Sequence, residues 1–175
     1  MTTTTDDLTT VLPVGVWRVD SDSSELGFGA RGMFGLASVH GHFGQFEGTL
    51  TVDDDGARGE LRIQAATLDT HNPKRDKHLR SADFFDVDAH PVVSFELTGV
   101  KPGADGAASV AGVLRIRDNA LVIDTPVQVS TATDGMTLST TLSVDRAAAG
   151  VGWSKLGMIK GKAHLHAKLT LARQG

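Results

Sequence analysis

Apolar and polar residues alternate with a period of two along most of this chain. Leu26, Phe28 and Ala30 alternate with Glu25, Gly27 and Gly29, and Phe46, Leu50 and Val52 share one face of the next run. Leu61, Ile63 and Ala65 follow, then Val93, Phe95 and Leu97, then Leu114 and Ile116, then Val127 and Val129. Met136, Leu138, Leu142 and Val144 come next, and Leu165, Ala167, Leu169 and Leu171 close the series. Successive side chains of a strand point to opposite faces, so each run predicts a strand with one apolar and one wet face, as in antiparallel sheets. Turn residues separate the runs at Asp53-Asp54-Asp55-Gly56, Lys101-Pro102-Gly103, Asp118-Asn119 and Asp134-Gly135, the last read as a tight hairpin turn that tolerates positive φ. About eight long strands result, with no βαβ rhythm. The fold class is therefore all-β, and that number of strands closes readily into an antiparallel up-and-down barrel, which removes sheet edges and can hold side chains or one small ligand. A filled sandwich or barrel is the alternative. The small residues Gly27, Gly29, Ala30, Gly41, Ala65 and Gly112 favour a cavity.

One stretch breaks the alternation: Leu68 to Phe95 reads LDTHNPKRDKHLRSADFFDVDAHPVVSF. Asn72 suits a helix N-cap and Pro73 the first helical position, so one short helix is predicted near residues 73–81. Asp76 and Arg80 stand one turn apart and are expected to pair. Leu79, Phe84 and Phe85 are the apolar anchors of this segment. A charged helix with an aromatic foot, in an otherwise all-β chain, reads as a lid or plug on one end of a barrel.

Composition narrows the function classes. The length of 175 residues fits one domain with a real core: a body over 14–175 behind a Thr-rich, acidic tail over 1–13 that is expected to be disordered. A net charge of −4 offers no basic excess for phosphates, so nucleic acid is not an expected partner. Cys and Tyr both number 0, which excludes disulfides, thiolate metal sites, Cys nucleophiles and Tyr acid–base chemistry. No run approaches the ~18 apolar residues of a transmembrane helix. The N-terminus lacks the basic and then apolar pattern of a secretory signal, and the expected location is cytoplasmic.

Several motifs invite chemistry and fail on context. Gly27-Phe28-Gly29-Ala30-Arg31-Gly32 fits GxGxxG, with Glu47 at a ribose-binding distance, but its glycines alternate inside a strand rather than opening a helix. His40 and His42, and His164 and His166, are two pairs at i and i+2, a spacing that could hold a metal ion. Their apolar neighbours claim the inward face, Lys162 and Lys168 share the face of the second pair, and no carboxylate adjoins either pair; the expectation is surface histidine and no metal. His71, His78 and Asp76 could form an acid–base cluster, yet no activated nucleophile accompanies them. Met33, Phe34 and Leu36, with Trp153, Leu156 and Met158, form a second apolar group outside clean alternation, read as satellite core or as an adaptable mouth.

Leu68-Asp69-Thr70, then Arg75-Asp76-Lys77-His78-Leu79-Arg80-Ser81-Ala82-Asp83-Phe84-Phe85, then His90-Pro91 and Phe95, resemble the signature of the YceI-like, polyisoprenoid-binding family. Trp17-Arg18-Val19-Asp20, Ser24-Glu25-Leu26-Gly27-Phe28, Val39-His40-Gly41-His42-Phe43 and Phe46-Glu47-Gly48 match as well, and the resemblance covers about residues 17 to 172. It implies an eight-stranded, lipocalin-like antiparallel barrel around an apolar tunnel, long isoprenoid or related lipids as ligands, frequent homodimers and no established enzymatic activity. The chain departs from the family where Arg146 is followed by Ala147-Ala148-Ala149-Gly150-Val151 in place of an Asp-Phe-Gly-Ile type of run.

The expected function is therefore non-enzymatic burial of a long-chain lipid, without a cofactor; a polyisoprenoid, an isoprenoid quinone or a fatty-acid-like chain would suit. Expected wall residues are Leu26, Phe28, Phe43, Leu61, Ile63, Phe95, Leu114, Met136, Leu138 and Leu165. Expected mouth residues are Met33, Phe34, Leu36, Leu79, Phe84, Phe85, Trp153 and Met158. Arg75, His78 and Arg80 are head-group candidates, with rim pairing to Asp76 and Asp83 as their alternative role. The rival functions are a small-molecule enzyme using His71, His78 and Asp76, and a filled-barrel, stress-related interaction module.

Overall fold

Residues 11–31, 38–145, 148–149 and 162–175 are described by the structure, a computed structural model. The alternation becomes strands β1 (Gly15–Arg31), β2 (Ser38–Phe43), β3 (Phe46–Asp53), β4 (Gly56–Gln64), β5 (Leu68–Asp69), β6 (Val92–Pro102), β7 (Ala107–Ile116), β8 (Asn119–Thr131), β9 (Gly135–Asp145) and β10 (Lys162–Arg173). The order β1-β3-β4-β6-β7-β8-β9-β10 forms a closed antiparallel ring of eight strands, because β10 pairs back onto β1. β2 and β5 are additions outside the ring, β2 on β1 and β5 on β2. The expected barrel is the observed fold. No helix among the described residues is long and apolar enough to cross a membrane.

β1 serves two partners on one side. Gly15 to Arg18 pair with β3, and Gly27 to Arg31 pair with β2. Between them the register against β10 shifts from Asp20 to Glu25. Ser24 holds this bulge: its hydroxyl donates to the Asp20 carbonyl at 2.6 Å, and the Thr170 N–H donates to it at 2.9 Å. Bulges bend a strand and raise its twist, which lets β1 leave one neighbour and take another.

One end of the barrel is sealed by packing. Trp17 is fully buried (0 % exposed) among Leu12, Leu50, Val52, Met136 and Leu171. Its indole N–H donates to the Pro13 carbonyl at 3.0 Å, and the Arg173 guanidinium lies 4.5 Å above the ring. Gly15 has φ +149°, and a β-carbon there would stand 2.6 Å from Arg173 Nη1, so the chain needs glycine at this point. Val11 and Leu12 are buried, which corrects the expected tail boundary: ordered packing begins before residue 13, because Leu12 has apolar partners in the seal. Residues 1–10 lie outside the described set.

The other end carries helix α1 (Pro73–Arg80), capped as expected by Asn72, whose side chain accepts the Arg75 N–H at 3.0 Å. Its fastening is polar. Asp76 is 6 % exposed and accepts from both the N–H (3.0 Å) and the hydroxyl of Thr70. Arg75 donates to the Thr70 hydroxyl and carbonyl, each at 2.8 Å. Arg80 donates to the carbonyls of Ala66 (2.9 Å) and Leu68 (2.8 Å). The expected Asp76–Arg80 pair is therefore not formed: a buried carboxylate is satisfied by close donors, and Thr70 supplies two. Of the expected rim pairs, His78–Asp83 is formed, at 2.8 Å.

Two further expectations are corrected. The β8–β9 hairpin closes with the Ala132 N–H on the Gly135 carbonyl at 2.8 Å, so its turn centres on Thr133 and Asp134, and no residue there has positive φ. Of the small residues expected to favour a cavity, Ala30 lines it, but the others contribute little open space. Gly27 and Gly29 lie on the outer face, and the space at Gly112 is filled by the Phe95 ring.

Candidate functional site: an apolar cavity

Between the Trp17 seal and α1 the barrel encloses a cavity of about 560 Å³, within the usual range of small-ligand pockets. The filled-barrel expectation is thus set aside. Leu26, Phe28, Phe43, Leu61, Ile63, Phe95, Leu114, Leu138 and Leu165 all line the cavity, as do Leu79, Phe84 and Phe85 at its helix end. Met136 does not. It is 2 % exposed within the seal, because β9 begins beside it at Gly135 and its inward side chain meets Trp17 and Leu171. Met33, Phe34, Leu36, Trp153 and Met158, and most of the departure at 146–151, lie outside the described residues; of that run, Ala149 is buried and donates its N–H to the Asp145 carbonyl at 3.0 Å.

The helix end is aromatic. Phe28 and Phe43 meet at 5.3 Å between ring centres, Phe43 meets Phe85 edge-on at 5.9 Å, and His78 meets Phe84 edge-on at 5.1 Å. Offset and edge-to-face contacts of this kind give the mouth a defined shape. Among the head-group candidates, Arg75 and His78 reach the cavity. Arg80 is absent from its lining and is held by the Ala66 and Leu68 carbonyls.

Pattern reading missed part of the wall. Val19, Val39, Val93, Val110, Ile123 and Leu142 are lining residues. Val93 and Leu142 already stood on the apolar face of their runs without being assigned to the wall, and Ile123 keeps the phase of Val127 and was detectable by extending that run. Thr125 and Thr140 also line the cavity, and a polar residue at an inward position gives no such signal. They mark a seam in the wall. β8 and β9 pair only from Gln128 to Thr131 against Met136 to Ser139. Beyond that point lies Pro126, which has no N–H to give. The Thr140 hydroxyl donates to the Pro126 carbonyl at 2.9 Å and lies 3.2 Å from the Thr125 hydroxyl.

The acid–base trio expected from sequence is divided among different partners. His71 adjoins Asp69, Asp76 binds Thr70, and His78 pairs with Asp83. The His71 backbone N–H, donating to Asp69 Oδ1 at 2.7 Å, is the main reason that the Asp69 carboxyl is held below the usual carboxylate range.

On the outer face, the two His pairs are brought to the same place. β1 runs between β2 and β10, so Gly27 is flanked by His42 and His166, and Gly29 by His40 and His164. All four imidazoles are exposed, as expected. The surrounding charge differs from the expectation: Glu25 stands opposite Lys168, Asp145 opposite Lys162 and Asp69 opposite His42. Among the described residues, no three such donors stand close enough, as placed, to hold a metal ion.

Comparison with known proteins places this geometry in context. The YceI-like domain family matches residues 17–171. A UPF0312 protein of Ectopseudomonas mendocina is 34 % identical over 85 residues, which are 47 % of this chain and 44 % of that protein. The matched segment thus spans under half the length of such relatives. In three dimensions the chain is similar to BcnA of Burkholderia cenocepacia, with TM-score 0.78, 21 % identity and coverage of 87 % of this chain and 98 % of that one. It is also similar to a polyisoprenoid binding domain from Saccharophagus degradans implicated in plant cell wall breakdown, with TM-score 0.73, 15 % identity and coverage of 90 % and 98 %. At these identities the structural likeness speaks for the fold.

Proposed function

Because this chain belongs to the YceI-like family, we propose that it binds one long-chain amphiphilic lipid, isoprenoid or acyl, within its barrel and performs no chemistry on it. The observation that carries the reading is the apolar cavity of about 560 Å³, bounded at one end by Leu50 and Leu171 of the Trp17 cluster and rimmed by aromatics, Arg75 and His78 at the other. Each methylene moved from water into such a space contributes about 0.8 kcal/mol before the entropic cost of binding. A chain of ten or so carbons thus outweighs the few polar contacts on offer. The tail would lie along Phe28, Leu114, Leu138 and Leu165, and a polar head would sit near Arg75 and His78. The Saccharophagus degradans domain, described as polyisoprenoid binding, supports the same class of ligand.

Solvent extraction of purified protein with mass spectrometry, followed by uptake of added prenyl and acyl chains, tests the proposal. The expected result is bound lipid or uptake in the wild type, weakened at least ~10-fold in Ile123→Trp, whose larger side chain occupies the cavity. A folded wild type that carries no lipid and takes up none would sink the proposal.

A further inference from the structure

Four of the chain's 7 histidines meet on one patch of the outer barrel wall, remote in role from the lipid cavity. We propose that this patch is a binding site for one divalent first-row transition-metal ion, held by His40, His42, His164 and His166 above a floor of Gly27 and Gly29.

His42, Gly27 and His166 lie side by side on β2, β1 and β10, and His40, Gly29 and His164 form the adjacent row. Paired residues share a face, so the Cα atoms of the four histidines occupy the corners of one rectangle. Its sides are two residues along a strand, ~7 Å, and two strand spacings, ~10 Å, which leaves its centre ~6 Å from each Cα. An imidazole together with a metal–nitrogen bond of about 2.0 Å spans that distance.

The glycines give a second, independent observation. Glycine weakens a strand interior and often marks a place of close approach. A β-carbon on Gly27 would stand 3.0 Å from Nδ1 of His166, and one on Gly29 would stand 2.9 Å from Nδ1 of His40. Two diagonal rings therefore already lean over β1, into space that any other residue would fill. The other two rings lean on outer neighbours. His164 shares a 3.0 Å hydrogen bond with the Ser143 hydroxyl, and His42 lies 5.8 Å ring to ring from His71. Both are exposed, and side-chain rotation brings them over the same floor, with water taking over the bond to Ser143. That rotation is what the placed geometry lacks.

Charge does not oppose a cation here. Lys168 has Glu25 opposite it, and Lys162 has Asp145. An all-imidazole donor set without thiolate suits Cu²⁺, Ni²⁺ or Zn²⁺, with Cu²⁺ bound most tightly.

The test uses tag-free, full-length protein, stripped with a chelator and then freed of it. CuCl₂, NiCl₂ and ZnCl₂ are titrated by calorimetry, and metal is counted after gel filtration. One equivalent is expected, with affinity falling at least ~100-fold in His40→Ala/His42→Ala and equally in His164→Ala/His166→Ala. Gly27→Val, which keeps all four imidazoles but raises the floor, is expected to weaken binding as well. Circular dichroism checks that each variant is folded; the four histidines are exposed and Gly27 is half-buried. Failure of the wild type to retain one equivalent overturns the proposal. So does full binding after loss of either pair, which would mean that a single His-x-His pair acts alone.

Discussion

At one end of the barrel Trp17 is buried among Leu12, Leu50, Val52, Met136 and Leu171; at the other, the one buried residue of α1 is a carboxylate, Asp76. The sealed end is held by apolar area and ring contacts; at the other end α1 itself is held by hydrogen bonds to Thr70, Ala66 and Leu68, while Phe85 and Val87 after it pack against a second buried cluster that includes Phe46, Ile63, Ala65 and Val93. A hydrogen bond contributes about 1 kcal/mol net, and truncating a large buried aromatic costs about 3–5 kcal/mol. The two ends thus divide the work. Packing at the Trp17 end secures the fold, and directional bonds at the α1 end set the position of an aromatic rim without filling the space beneath it.

The division breaks most visibly at Trp17. Trp17→Ala removes the largest fully buried side chain among the described residues and is expected to cost about 3–5 kcal/mol. For a chain of this size that lowers the melting temperature on the order of 10 °C. Calorimetry checks the magnitude. Lipid uptake measured well below the new melting temperature should persist, since Trp17 does not line the cavity. A shift of only a degree or two would show that the seal is not where stability resides.

Asp76 sharpens the comparison from the other side. Asp76→Ala leaves the buried N–H and hydroxyl of Thr70 without their acceptor, at an expected cost of about 1–3 kcal/mol. Hydrogen exchange should rise across residues 66–80 while the amides around Trp17 and Leu171 keep their protection. If both ends lose protection together, they form one cooperative unit and the comparison fails. Asp76→Asn, which keeps an acceptor oxygen, should lie between the wild type and the alanine variant.

How far these features were legible in the sequence follows from what each depends on. Period-two alternation is local, so strand faces were readable: Leu26, Phe28 and Leu138 point inward as expected. The helix cap was readable for the same reason, since Asn72 and the Arg75 N–H stand within one turn. Height along the barrel axis is not local. Met136 shares a face with Leu138 yet lies in the seal while Leu138 lines the cavity, because strand tilt and hairpin position fix the level. Asp76 was expected to choose Arg80 by helical spacing, but the loop folds Thr70 onto it. The convergence of the His pairs could be posed from the sequence but not decided, because it requires β1 to accept β2 on one side and β10 on the other. Thr125 and Thr140 were hidden because polar side chains at inward positions read as outward ones.

Acid gives the smallest effect and separates the two ends by chemistry. Asp69 lies just before α1, where its carboxylate accepts the N–H of His71, a residue with φ 60°. That bond holds the Asp69 carboxyl below its ordinary value of 3.8 in the folded state. A group depressed on folding contributes stability that is present above the unfolded value and lost as pH falls through the folded one. The side chain is 47 % exposed, so the contribution is small. Asp53 is lowered too, chiefly by Arg58 at 2.6 Å on the rim beyond Val52, so an acid melt of the wild type alone mixes the two ends. The difference between wild type and Asp69→Asn isolates the helix end. That difference in melting temperature should be measurable at about pH 6 and should shrink as pH falls through the lowered folded value, vanishing once Asp69 is protonated in the folded state and resembles asparagine. The near-ultraviolet dichroism of Trp17 should not respond to the substitution in either condition. A difference that persists unchanged in acid would mean that Asp69 acts through shape rather than charge, and the helix end would then be held by packing after all.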